Sequence, residues 1–368
     1  MSDGSVDFTD GHLNCNVATV PDLTSYLDAG VRHLRLDRKV KKAPGLDEFL
    51  DRCTTLRSLS IHQPALLDPA PTKATLEFLD ISGTKVRSLD FLAGFPELTR
   101  LSLGFRGTEV ADFTPIRHAP RLERLRANGH RAGTIKPLRA LEHLEEYVAH
   151  QTKALASLDG LDGCPNLVHV DANQSHIASL KALRGAKMLR ALKIRGTKVP
   201  SLEAIYGCHA IETLFAERTK LKSIEGIAEG LPSLRLLWLH NTGVTDLSPL
   251  RGLDSLVELD LGGLAVDDFR VLGDLPSIEH LDFHGTRFSD LSLLESLPKL
   301  VSARLASTKV REKDPRAAKL NRKLKARHGR DAGLSFDARS GTARLGVNRA
   351  TCLHGDLQHD ENNRSLTT

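Results

Sequence analysis

Counted in steps of 22, this chain comes into register with itself from Val31 to Val310, and that period constrains its fold more than any other feature. Two copies show the unit plainly: LRALKIRGTKVPSLEAIYGCHA from Leu189, and LRLLWLHNTGVTDLSPLRGLDS from Leu234. Each has apolar residues at its positions 1, 4, 6, 11, 14 and 17, with a small polar residue at position 9. The first positions are Val31, Leu56, Leu76, Leu98, Leu122, Leu144, Leu167, Leu189, Ile211, Leu234, Leu256, Ile278 and Leu300. Seven of the twelve intervals between them are 22 residues, and the others run from 20 to 25. A unit this short cannot bury its apolar face alone, so the copies stack and share one continuous core.

Positions 3 to 7 read as a short strand. Residues 4 and 6 point into the core and residues 3, 5 and 7 point out, because side chains alternate across a strand. One strand per unit, stacked at ~4.8 Å, predicts a parallel sheet about 60 Å long. Positions 11 to 21 have apolar residues every three, as in VRSLDFLAGF and VTDLSPLRGL, a spacing that fits 3₁₀ or a single helical turn. Pro96, Pro120, Pro165, Pro232, Pro276 and Pro298 each stand two residues before a position 1 and end this return limb. Position 9 is Thr84, Thr152, Thr197, Thr219, Thr242, Thr286, Thr308 and, in one copy, Ser175; Thr108 serves the longer copy at Leu98. A ladder of hydroxyls could bind a ligand, but the expectation is that each satisfies backbone groups at the turn.

The unit L-x-x-L-x-L-x-x-Thr-x-Val-x-x-Leu-x-x-Leu resembles the short 22-residue leucine-rich repeats of bacterial internalins and of the leucine-rich regulatory subunits of type-1 protein phosphatases. The resemblance covers roughly residues 31–310. It implies an α/β fold: a right-handed solenoid of about 13 repeats, with a parallel β-sheet on the concave face and 3₁₀ or short helical turns on the convex face. It also implies protein–protein binding through the concave face. The chain departs from the commoner pattern in using Thr where Asn usually sits, and it lacks the secretion signal and wall-anchoring motif of surface internalins.

The formal charge of +5 is local. Residues 311–330 hold nine Lys and Arg against two acids, and residues 331–368 hold four Arg against five acids, so the preceding 310 residues sum to −1. Four regions follow: a tail and capping helix over 1–30, with 1–18 expected to be disordered; the solenoid over 31–310; a basic capping helix and candidate hairpin over 311–350; and a polar tail over 351–368, expected to be disordered. In the cap, Ala317, Leu320 and Leu324 recur at helical spacing behind Asp314 and Pro315. The N-terminus has neither the basic start nor the apolar core of a signal peptide, and no apolar run reaches the ~20 residues that span a bilayer. Cys53, Cys164 and Cys208 each precede a position 1 by three residues, in a column otherwise filled by residues such as Phe95 and Leu231. They are expected to be buried, reduced thiols, while Cys15 and Cys352 are expected to be the accessible ones. A cytoplasmic location follows.

No P-loop, H-E-x-x-H, G-x-S-x-G, EF-hand or dinucleotide motif is present, so no enzyme, cofactor or small-molecule substrate is expected. His33, His62, His150, His169, His240, His280 and His284 project onto the concave face, and no metal site is expected. His280, Asp282 and His284 are spread along one strand at ~6.6–7 Å steps, too far for one coordination shell. The outward columns hold the candidate partner-binding surface. Trp238, the only tryptophan, lies beside Phe215 and Leu236, with Glu217, Glu258, Asp260 and Asp282 around them and Arg100, Arg124 and Arg126 nearer the N-terminus. Exposed aromatics on a concave surface suit a protein partner, and the segregated charges would orient it. The alternative is that nucleic acid or another acidic surface binds the basic segment 311–330.

Overall fold

The computed structural model describes residues 6–62, 75–82, 86–104 and 108–337. Thr84, Cys352, most of the candidate hairpin and the 351–368 tail lie outside the described residues. Sixteen strands form one sheet in sequence order. Thirteen of them, from β3 (His33–Leu36) to β15 (Ser302–Arg304), start at position 3 of their repeats and pair in parallel. Position 3 faces position 3 across each pair: Thr213 pairs with Leu236, Leu236 with Glu258, and Glu258 with His280. The period of the sequence is therefore the register of the sheet.

The apolar positions build the core as the pattern requires. In the copy at Leu189, that residue and Leu192, Ile194, Val199, Leu202 and Ile205 are all buried. After each strand the chain must turn sharply. At position 8 it does so in the left-handed region, at Gly129, Gln151, Gln174, Gly196, Arg218, Asn241, Gly263, Gly285 and Ser307. The hydroxyl that follows then donates to the carbonyl three residues back, as Thr197 does to Ile194, Thr219 to Ala216 and Thr286 to Phe283, each at 2.7 Å. Ser175 and Thr308 bond the same way, so these hydroxyls are taken up by the backbone, while the buried Thr242 hydroxyl has no hydrogen-bond partner among the described residues. Further on, a Ser, Thr or Asp opens the return limb by accepting the N–H two residues later, as Ser201 does from Glu203 and Asp246 from Ser248. Most return limbs are single 3₁₀ turns, such as Asp90–Gly94 and Lys136–Ala140. Three carry a helix instead: α1 (Leu46–Arg52), α2 (Ile227–Gly230) and α3 (Leu291–Ser296). A helical limb with its side chains is roughly 10 Å across against ~4.8 Å between strands, so the sheet curves with its open face concave.

Both ends differ from expectation. Val6–Thr9 (β1) and His12–Cys15 (β2) form an antiparallel hairpin in the stretch expected to be disordered, and β2 extends the sheet in parallel with β3. Its turn is Asp10-Gly11, both with positive φ, the pairing that a tight hairpin demands. The expected capping helix over residues 21–30 is one 3₁₀ turn, Leu23–Tyr26. At the other end α4 (Pro315–His328) begins where Asp314 accepts the N–H of Arg316 and buries Ala317, Leu320 and Leu324. β16 (Gly333–Ser335) then pairs in parallel with β15 as a sixteenth strand.

Candidate functional site

Two adjacent strands of the concave face, β11 (Thr213–Phe215) and β12 (Leu236–Trp238), place Phe215 opposite Trp238 in register. Their rings stack with centroids 3.9 Å apart and planes 13° from parallel. Both remain partly exposed. Lys193 on β10 (Ala191–Lys193) sets its ammonium 5.8 Å from the Phe215 centroid, and the Trp238 indole N–H donates to Glu258 Oε1 at 2.7 Å. Leu236, expected to be part of the exposed patch, is buried between its register partners Thr213 and Glu258.

The four acids expected to surround this patch as a steering field are inside it. Glu217, Glu258, Asp260 and Asp282 are all 2 % exposed or less. For the two aspartates the physical reason lies in the turn: a position-5 Asp folds back to accept the position-7 N–H, Asp260 from Gly262 at 2.9 Å and Asp282 from His284 at 2.8 Å. Asp80 and Asp171 do the same for Ser82 and Asn173. The second oxygens of Asp260 and Asp282 find side chains, with His240 Nδ1 2.7 Å from Asp260 and Arg304 donating to Asp282 at 3.0 Å. Burial pushes the Glu258 carboxyl up to about 7, against the indole hydrogen bond, and raises Glu217 as well. Burial also works on Asp282, but the hydrogen bonds from His284 and the nearby charge of Arg304 outweigh it and hold that carboxyl below its usual range.

The arginines form a separate group. Arg100 on β6 (Arg100–Gly104) and Arg124 on β7 (Arg124–Ala127) face each other in register, and Arg126 binds Glu146 at 2.8 Å. Burial of Glu146 is outweighed by the His169 ring 4.0 Å away and by the hydrogen bond and charge of Arg126, which together hold it at about 2. Seven strand steps separate β6 from β13 (Glu258–Asp260), on the order of 34 Å. One compact ligand cannot touch both groups.

Sequence reasoning missed a cluster beside the aromatic stack. Asp260, Asp282 and His284 each bring a donor atom within 4.8 Å of the others. The objection that positions 3, 5 and 7 spread too far along one strand fails here, because Asp260 comes from the neighbouring strand. His284 also curls back, its Nδ1 lying 2.9 Å from Asp282 Oδ1. Gly262 makes the room: a Cβ there would stand 1.9 Å from Cε1 of His284. The recurrence of Asp at position 5 in consecutive repeats, with His at position 7 on either side of a Gly, was the available signal.

The basic helix α4 presents exposed Lys319, Lys323, Lys325 and Arg327 to solvent, with Arg316 3.7 Å from Glu295 as a tie to α3. Among the described residues no helix is long and apolar enough to cross a membrane.

No family model and no curated protein matches this chain. Solved structures do. An internalin, InlF of Listeria monocytogenes, is 18% identical with a TM-score of 0.64, over 80% of this chain and 86% of its own. The leucine-rich-repeat protein LIC12759 of Leptospira interrogans is 18% identical with a TM-score of 0.56, over 86% of this chain and 99% of its own. The plant peptide hormone receptor RGFR1, solved in complex with RGF2, is 13% identical with a TM-score of 0.58, over 79% of this chain and 53% of its own. These likenesses show the fold: an α/β leucine-rich-repeat solenoid of the kind found in internalins. The resemblance to phosphatase regulatory subunits gains nothing from them.

Proposed function

We propose that this leucine-rich-repeat solenoid is a non-catalytic scaffold that binds a partner protein on its concave face, with Phe215 and Trp238 as the anchor. The carrying observation is the half-exposed Phe215–Trp238 stack, held rigid by the 2.7 Å bond from the indole to Glu258. A fixed aromatic surface loses little conformational entropy on binding, and such anchors dominate interface energies. The fold supports the reading: the similar receptor RGFR1 was solved in complex with RGF2.

The burial of the four acids alters the partner's expected chemistry. A sealed carboxylate does not form a rim contact, so the anchor selects an apolar or aromatic group first. Lys193 above Phe215 and exposed Arg218 offer charge at the edge. Arg100 and Arg124 form a second contact area for an extended partner. The four described cysteines are buried and free, which supports a reducing compartment such as the cytoplasm.

Affinity capture with the wild-type chain and with a Phe215→Ala/Trp238→Ala variant of unchanged circular dichroism tests the proposal. A protein retained only by the wild type supports it. Binding to nucleic acid through α4 would appear instead as salt-sensitive retention that the aromatic variant keeps.

A further inference from the structure

The cluster of Asp260, Asp282 and His284 has no part in the aromatic anchor, and it is built in a way that strand pairing alone does not require. All three donors come from neighbouring repeats, and both carboxylates are fully buried. Two donors on opposite sides of one ion with bonds of ~2.1 Å stand ~4.2 Å apart, so a set within 4.8 Å needs only a small contraction. Asp282 Oδ1 and His284 Nδ1, at 2.9 Å, already match adjacent corners of a coordination shell with bonds of roughly 2.1 Å. His240 holds Asp260 through its Nδ1 at 2.7 Å, and Arg304 holds the far oxygen of Asp282, so the carboxylates are oriented from outside as metal ligands commonly are.

A further buried acid stands two strands from Asp260 and three from Asp282 and His284. Glu217, 1 % exposed and one strand from His240 at the same level of the sheet, has an Oε2 with no hydrogen-bond partner among the described residues. It lies within electrostatic reach of His240 and Asp260. The nearest guanidinium, that of Arg195, is 3.7 Å from its other oxygen. A buried carboxylate oxygen without a partner is costly unless a positive charge stands near it.

We propose that Asp260, Asp282 and His284 bind a divalent first-row transition metal, zinc by the preference of mixed imidazole and carboxylate ligands. His284, 29 % exposed, opens the site toward the concave groove. Gly262 is required because any larger residue would displace the His284 ring.

Tag-free full-length protein, stripped with a chelator and titrated with zinc alone by calorimetry, is the test. Wild type and a Trp238→Ala variant should each bind about one equivalent, which separates this site from the aromatic anchor. Asp282→Asn and His284→Ala should weaken binding by at least about tenfold, while His143→Ala should not. Should a ligand variant fail to fold, wild-type protein decides through diethyl pyrocarbonate labelling mapped by mass spectrometry. Zinc should protect His284 and leave His118, His143 and His209 reactive. Absence of saturable binding, binding that survives both ligand variants, or labelling of His284 that zinc does not change would each overturn the proposal.

Discussion

The Trp238 indole N–H donates to Glu258 Oε1 at 2.7 Å, from one concave strand to the next. Cross-strand neighbours therefore fix the orientation of the only tryptophan in the chain, whose emission reports on this site. Glu258→Ala removes the acceptor, and its expected effect is a shifted emission maximum with about 1 kcal/mol lost in urea denaturation. Glu258→Gln keeps an acceptor oxygen and should resemble wild type. An unchanged spectrum in Glu258→Ala would show that the bond does not hold the ring.

His130 stands in the position-9 slot that threonine fills elsewhere, and its Nε2 lies 3.1 Å from the buried Tyr147 hydroxyl. Burial lowers its pKa to about 4. The unfolded chain, with an ordinary imidazole near 6.5, then takes up a proton that the folded state refuses. The stability tied to this group is complete above pH 6.5 and is lost as pH falls toward 4, by up to ~3 kcal/mol. Denaturation of wild type and His130→Gln across that range should show the gap between them shrinking by this amount. Parallel curves would contradict the assignment.

Cys15, expected to be accessible, is 1 % exposed on β2, and Cys53, Cys164 and Cys208 are buried as their column required. Burial pushes Cys15 up to about 11 and Cys164 up to about 12, so neither offers a thiolate near neutral pH. A thiol reagent should label at most one of the five cysteines in native protein and all five after unfolding. Rapid native labelling at Cys53, Cys164 or Cys208 would mean that the repeat register is wrong.

The fold was legible because every repeat states it again: an apolar residue at positions 1, 4 and 6 leaves one choice of register, and the pairing of Leu236 with Glu258 obeys it. The ends were less legible, since a terminal strand has only one copy of its signal. Asp10-Gly11 between Phe8 and Leu13 was a sufficient hairpin signature that the absence of repeat pattern obscured. At the site, strand alternation placed Phe215 and Trp238 on the outer face correctly. Alternation says which face a side chain leaves from, not whether it then folds back on the turn. Asp260 and Asp282 do fold back, which is why residues read as an exposed field are sealed beneath the surface. The cluster with His284 arises from the same turn, so it could not be found along one strand.

The central claim, that the concave aromatic stack is a binding anchor, is tested most directly with one substitution. Phe215 and Trp238 are partly exposed and project from the sheet on the side away from Leu214 and Leu237, which are fully buried. Trp238→Ala should leave the thermal midpoint within a few degrees of wild type and weaken the captured partner's affinity by about 2 kcal/mol or more, roughly thirtyfold. An unfolded variant, or a stable one that retains every interaction at full affinity, would contradict the account.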